Sequence, residues 1–404
     1  VGVAAGVGGS DLAVDDVGRQ QGEGMTVPLT VAPGRLADAA LARYAGSTPV
    51  LVLDLDRIGQ AYDELRAALP GAAIHYAMKC NPADRVLGYL ADRGCRFEIA
   101  SAGELDDLIG LGIEPNSVIF SNPVKPWRHV RAAYRAGVRR FALDSRSELD
   151  KIAEHAPGSS VYVRISAPVG ASEVPSEGKF GVDLAEAEAL MTVAVERGLR
   201  PYGIAFHVGS QMTDPGAWET AIRASGVLMR RLEAVGIRLA ILDIGGGFPV
   251  PYAGPPVPPV GEIGAVVMAA MERELPYPVD LVAEPGRYLA AEAGVLVTEV
   301  IGTARRAGKE WLHLDVGAFN GMMESLETRN QLILPLGDSL GSAGRQRYHL
   351  TGPTCDSQDT LFYDVELSAG LTAGDRVHLY CAGAYTTSYA STFNGFPVPT
   401  VRYV

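Results

Sequence analysis

Lysine is scarce in this chain: Lys79, Lys125, Lys151, Lys179 and Lys309 are the only five. Lys79 alone closes an apolar run, in HYAMKCNP, so its amine should emerge where a strand ends. A partly desolvated lysine in such a place has a lowered pKa and can form a Schiff base with an aldehyde. An ordinary strand-end lysine is the competing reading. In LDIGGGFP (242–249) a strand runs into Gly245, Gly246 and Gly247. Three successive residues without side chains let backbone N–H groups face one anion closely, as a phosphate site requires; a tight turn explains them too. EPGRY (284–288) offers Glu284 to face a cofactor ring and Arg287 to support a phosphate, against a purely structural ion pair. In HVGSQ (207–211), His207 can stack on an aromatic ring and Ser210 can donate to phosphate, although a lone histidine is more often structural. GPTCDSQDTL (352–361) sets Cys355, a candidate proton donor, beside Asp356, a candidate partner for a substrate ammonium. A buried thiol beside a turn-forming aspartate is the bland alternative. CAGAYTTSYASTFNGF (381–396) adds the Tyr385 hydroxyl, which by itself says little.

These residues need a scaffold that gathers strand ends. Eight β-branched, apolar runs alternate with helical patterns: IHYAM (74–78), RFEIA (96–100), SVIFS (117–121), RRFAL (139–143), VYVRI (161–165), GIAFH (203–207), LAILD (239–243) and VDLVA (279–283). Amphipathic stretches lie between them, among them 83–93, 185–197 and 217–235. Eight βα units over this length predict an α/β fold, a (β/α)8 TIM-type barrel, whose C-terminal strand ends converge on one mouth. A doubly wound open sheet would need fewer units. After Arg287 the texture changes to alternating runs at 295–304, 311–316, 375–384 and 401–404, which predict a second, C-terminal antiparallel β domain. The expected organisation is a barrel over 50–287, the β domain over 288–404, and an N-terminal segment, 25–49, joining the β domain. The pieces 254–261 and 337–345 read as loops. Residues 1–24, rich in Gly and Ala, are expected to be disordered or extraneous to the native protein, and they do not read as a signal peptide.

Bulk properties narrow the function classes. A net charge of −12 disfavours nucleic acid and anionic membrane as partners, because phosphate backbones need clustered Lys and Arg. Four scattered cysteines suit neither a disulfide framework nor a zinc site, so no metal and a cytoplasmic setting are expected. No apolar run reaches the length of a membrane span.

YAMKCNP, FEIASAGEL, FALDS, SEGKFGVD, FHVGSQ, DIGGGFP, EPGRY, GPTCDSQD and GAYTTSYASTFNGF occur in one order. Together, from about Pro49 to the C-terminus, they resemble the fold-type-III decarboxylases that depend on pyridoxal 5'-phosphate, a group acting on ornithine, lysine, arginine and diaminopimelate. CDSQD and FNGFP are similar to the ornithine/lysine branch. The resemblance implies that Lys79 holds the cofactor aldehyde, His207 stacks on its ring and Glu284 pairs with the pyridine nitrogen. It further implies that Ser210, Gly245, Gly246, Gly247, Arg287 and Tyr385 hold the phosphate, with Glu98 and Arg164 near the cofactor. Cys355 and Asp356 would enter the site of the neighbouring subunit, making a two-fold homodimer with shared sites. Cys355 would then protonate the α-carbon after CO2 has left. Phe393 belongs with the substrate-binding candidates.

One departure bears on the substrate, most simply read as L-ornithine. In eukaryotic ornithine decarboxylases the carboxylate gripping the distal amine directly precedes a glycine. Here LDVGAFNG places Val316 before Gly317, with Asp315 one residue earlier, and a one-residue shift turns a strand side chain to the other face. Three readings stay open: the local geometry compensates, Glu324 takes over, or the substrate is not ornithine but L-lysine, L-arginine, diaminopimelate or a related specialised amino acid. An amino-acid racemase of the same fold would need a second base and normally an arginine near the pyridine nitrogen, which Glu284 argues against. A decarboxylase-like regulator without activity would tend to lose the lysine, the cysteine or the phosphate grip, and all three are present.

Overall fold

The computed structural model describes residues 41, 44, 48–167, 172–174, 178–328, 332–341 and 344–404; the expectation for 1–24 and nearly all of that for 25–49 lie outside them. The chain enters on a strand, β1 (Val50–Leu53), and a helix, α1 (Leu55–Ala68). Eight parallel strands then close a barrel: β2 (Ala73–Ala77), β3 (Arg96–Ile99), β4 (Ile119–Phe120), β5 (Arg140–Leu143), β6 (Ser160–Arg164), β7 (Arg200–Ala205), β8 (Ile241–Asp243) and β9 (Asp280–Ala283). Each lies within or beside one of the eight apolar runs. Parallel strands covered on both faces lose the in–out alternation and read as continuous apolar segments, which is why the runs are visible in the sequence. Ile119, Ala142, Tyr162, Ala205, Ile241 and Val282 fill the barrel, while a larger core packs the strands' outer faces under the helices.

Helix starts are set locally. Ser101, Ser145 and Asp183 each accept from backbone N–H groups of the first turn, as does Asp54 at the head of α1. The helix completing the ring does not follow β9. Instead α1, from before the first barrel strand, packs between the helices Val260–Glu274 and Asp84–Asp92. Gly264 permits this closeness, since a Cβ there would strike the Ala68 carbonyl.

The second sheet holds β10 (Gly294–Arg306), β11 (Lys309–Leu314), β12 (Leu336–Asp338), β13 (Arg345–Thr351), β14 (Thr360–Ser368), β15 (Arg376–Tyr380) and β16 (Thr400–Tyr403). Its path runs β12–β15–β10–β11–β13–β14 and is largely antiparallel, with parallel pairing of β11 with β13. Ala307 and Gly308, both at positive φ, make the two-residue turn between β10 and β11. One boundary differs from expectation. β1, placed at the start of the barrel by sequence, belongs to this sheet, antiparallel to 294–297 and parallel to 400–403. Its four residues are wholly buried, so the run is as apolar as a barrel strand and pattern alone could not assign it. The expected loops at 254–261 and 337–345 are partly regular, since a helix begins at Val260, β12 extends to Asp338 and β13 begins at Arg345.

Candidate active site

Lys79 lies in a single 3-10 turn directly after β2, and its side chain is half-exposed (49%) in the barrel mouth. Nζ lies 2.6 Å from Oε1 of Glu98, a buried residue of β3 next door. Burial alone would lower the lysine pKa, but Glu98, Tyr385 and Glu284 together outweigh it and raise the value above the ordinary range. The expectation of a lowered pKa is therefore corrected for the free side chain. It is an ammonium locked to a carboxylate, because the strand ends that expose it also gather acids around it.

Glu284 follows β9 at the same end. Burial, then the neighbouring Glu98, push its carboxyl up to about 7. Asp243, wholly buried at the end of β8, is held well above its usual range by burial and by Glu284, while its Oδ1 accepts the Gly245 N–H at 2.9 Å. Oε1 of Glu284 and Oε2 of Glu98 are buried and have no hydrogen-bond partner among the described residues. His207 leaves β7; burial, Arg164 and Lys79 lower its pKa to about 3, so the imidazole is neutral. Arg164 ends β6 with its guanidinium 5.3 Å from the ring centre of Phe180.

The triple-glycine turn is dictated by close backbone approach. A Cβ on Gly245 would lie 2.5 Å from the Phe206 carbonyl oxygen and one on Gly246 2.6 Å from that of Glu284. Gly247 is similarly pressed against Gly209, and Gly245 and Gly247 both adopt positive φ. The loops after β7, β8 and β9 are thus pressed into one wall that only glycine permits. Against this wall sits Arg287. It is buried, its Nε donates to Ser210 Oγ at 3.2 Å and its Nη1 to Tyr252 Oη at 2.8 Å. Both its terminal nitrogens bind Glu324. The Tyr385 ring lies 4.8 Å from the guanidinium carbon, and Tyr385 N–H donates to the Cys80 carbonyl, which fastens the second sheet to the lysine turn.

Lys79, Glu98, Arg164, His207, Ser210, Gly245–Gly247, Glu284, Arg287 and Tyr385 are thus carried on barrel strand ends and their loops, with Tyr385 joined to them from the second sheet. The substrate candidates are differently engaged. Glu324 has both carboxylate oxygens on Arg287, so the geometry does not offer it as a grip for a distal amine. Asp315 commits Oδ1 to Thr298 Oγ1 and Glu299 N. Cys355 and Phe393 are exposed. Asp356 caps its own turn, accepting from Gln358 N at 2.8 Å. Sequence reasoning missed Asp243 and Tyr252. The first could have been noticed as the acid closing the strand, one residue (Ile244) before the glycines; nothing in the sequence marks the second. Among the described residues no cluster could hold a metal ion, and no helix is long and apolar enough to cross a membrane.

Comparison with known proteins agrees with this architecture. The family model for the pyridoxal binding domain of pyridoxal-dependent decarboxylases matches residues 55–291. The lysine/ornithine decarboxylase of Selenomonas ruminantium is 39% identical over 363 residues, covering 88% of this chain and 90% of that protein. The ornithine decarboxylase of Schizosaccharomyces pombe is 31% identical over 370 residues, 89% and 84% of the two chains. Among solved structures, the lysine/ornithine decarboxylase of Vibrio vulnificus complexed with cadaverine superposes with a TM-score of 0.83 at 32% identity, covering 91% of this chain and 98% of that one.

Proposed function

Because this chain belongs to the pyridoxal-dependent decarboxylases, in their ornithine/lysine branch, we propose that its substrate is L-ornithine, converted to putrescine and CO2. The chain is an amino-acid decarboxylase dependent on pyridoxal 5'-phosphate, and its relatives act on basic amino acids. Its residues fit that cofactor. The partnerless buried Glu284 Oε1 suits a protonated ring nitrogen, the crowded glycine wall with Arg287 and Ser210 suits a phosphate, and the Lys79 amine suits an aldehyde. When bound, the cofactor supplies an electron sink for the pair released as the Cα–carboxylate bond breaks.

The protein's own groups then have distinct tasks. Glu98, whose Oε1 accepts from Lys79 Nζ at 2.6 Å, holds the lysine at the barrel mouth, where its amine would meet the aldehyde. Glu284 would face the ring nitrogen and favour its protonated form, with Asp243 buried close by. His207 stays neutral and offers a flat face to the ring, with Arg164 alongside. Gly245, Gly246, Gly247, Ser210, Arg287 and Tyr385 would hold the phosphate end, so that binding orients the reactants. Cys355 of the neighbouring subunit in a two-fold homodimer gives its proton to Cα, and Asp356 beside it faces the distal ammonium.

The observation that carries the reading is the convergence of Lys79, Glu98 and Glu284 at one end of a closed barrel. Ornithine is supported by the names of the relatives. L-Lysine is the second reading, favoured by the Selenomonas relative being named for both acids and by Asp315 spending one oxygen inside its own sheet. A panel of ornithine, lysine, arginine and diaminopimelate, with CO2 and amine product measured, tests this. Highest kcat/KM on ornithine supports the proposal, and a preference for any other acid replaces it.

A further inference from the structure

Three stretches of the second domain are tied into one unit by two buried side chains. Asp359 accepts from Ala318 N at 2.7 Å, Thr354 N at 2.9 Å and Thr354 Oγ1 at 2.7 Å. Asn320 accepts from Gly317 N at 2.7 Å and donates to the Asp315 and Pro397 carbonyls at 3.2 and 3.0 Å. Ser391 N–H adds a bond to the Phe319 carbonyl at 2.8 Å. The loop bearing Cys355 and Asp356 is therefore fixed to the turn Phe393–Gly395, and the Phe393 ring lies 4.8 Å from that of Phe319. On the outer side of this unit Asn394 Nδ2 donates to Cys355 Sγ at 3.4 Å.

Asn394 has φ +54 and Gly395 φ +78. Asparagine tolerates this region better than most residues, but glycine would adopt it without a steric penalty. The turn alone therefore does not call for an amide, whereas the thiol is what the amide touches. We infer that Asn394 is a positioning residue that holds Cys355 Sγ in one orientation, so that its proton reaches a single face of the reacting carbon. The inference rests on the reading of Cys355 as the proton donor. In that step the Sγ–H bond breaks and a Cα–H bond forms on the electron pair left by CO2; the thiolate then recovers a proton from water. Without the amide, the sulfur explores other rotamers, and water competes to protonate either face.

The test uses the full-length holoenzyme with Asn394→Gly, which keeps the backbone, and Asn394→Asp, which keeps the shape and removes the donor. Decarboxylation in D2O places one deuterium on the former α-carbon, and the chirality of that amine is read with a chiral derivatising agent. Wild type should give one enantiomer, and both variants a mixture with loss of at least a tenth of the stereochemical purity. The S–H stretching band of Cys355, isolated in cofactor-free protein as the infrared difference from Cys355→Ala, should move in both variants. Undiminished purity or an unmoved band in the Asn394 variants overturns the inference. If Cys355→Ala itself retains full purity, the reading of Cys355 fails instead, which separates the two failures.

Discussion

Glu324→Gln tests the anion site without touching the lysine end. In the free protein Glu324 neutralises Arg287 through both guanidinium nitrogens, and the side chains are only 13% and 5% exposed. Removing one partner of a buried pair costs about 3–5 kcal/mol, because the surviving charge is left uncompensated. One amide oxygen still accepts here, so the lower end, about 3 kcal/mol, is expected for the cofactor-free protein. A phosphate on Arg287 would restore the missing negative charge. If it recovers half of the loss, about 1.5 kcal/mol, the variant binds the cofactor roughly tenfold more tightly than wild type, although it is less stable without it. Urea unfolding of the cofactor-free and cofactor-saturated proteins, with a fluorescence titration of cofactor, measures both quantities. A cofactor-free variant as stable as wild type, or one that binds the cofactor more weakly, would refute Arg287 as the phosphate's cation.

Gly246→Ala should weaken cofactor binding by about thirtyfold, the equivalent of roughly 2 kcal/mol, since the new Cβ would sit 2.6 Å from a backbone oxygen that can move only with the wall. Gly254→Ala, where a Cβ meets nothing, should leave affinity unchanged in the same titration. The cofactor-free protein should lose stability as pH rises from about 4.5 to about 7 on account of Glu284. Its raised carboxyl pKa means the folded state holds a proton that the unfolded chain releases near 4.5, so the contribution is full below that value and gone above 7. Urea midpoints across that range should fall less steeply in Glu284→Gln; identical pH slopes would contradict this.

The barrel was legible because each strand is buried on both faces and so writes an unbroken apolar run, from IHYAM to VDLVA. Which residues lie at its mouth was legible for a related reason. Strand ends are fixed by the runs, so whatever follows at once, such as Lys79 or the glycines, has a known direction. What stayed hidden depends on partners far apart in sequence. Nothing near Arg287 announces Glu324, 37 residues on, and nothing near Lys79 shows that Glu98 will meet it at 2.6 Å. The acids that reverse the lysine pKa shift are likewise brought together only by barrel closure. β1 alone fell on the wrong side of the expected boundary, because a short apolar strand carries no label for which sheet it joins. β13 and β14 were not anticipated: RQRYHLT and TLFYDVELS mix charges into the alternation, and the loop residues between them drew attention first.

Borohydride reduction of the cofactor-loaded protein, followed by peptide mass mapping, addresses the central claim most directly. The five lysines lie at separate places in the chain, so the outcome is unambiguous. A pyridoxyl mass on the peptide containing Lys79, absent in Lys79→Ala together with CO2 release, is the predicted result. Label on Lys125, Lys151, Lys179 or Lys309, or undiminished turnover without Lys79, would contradict it.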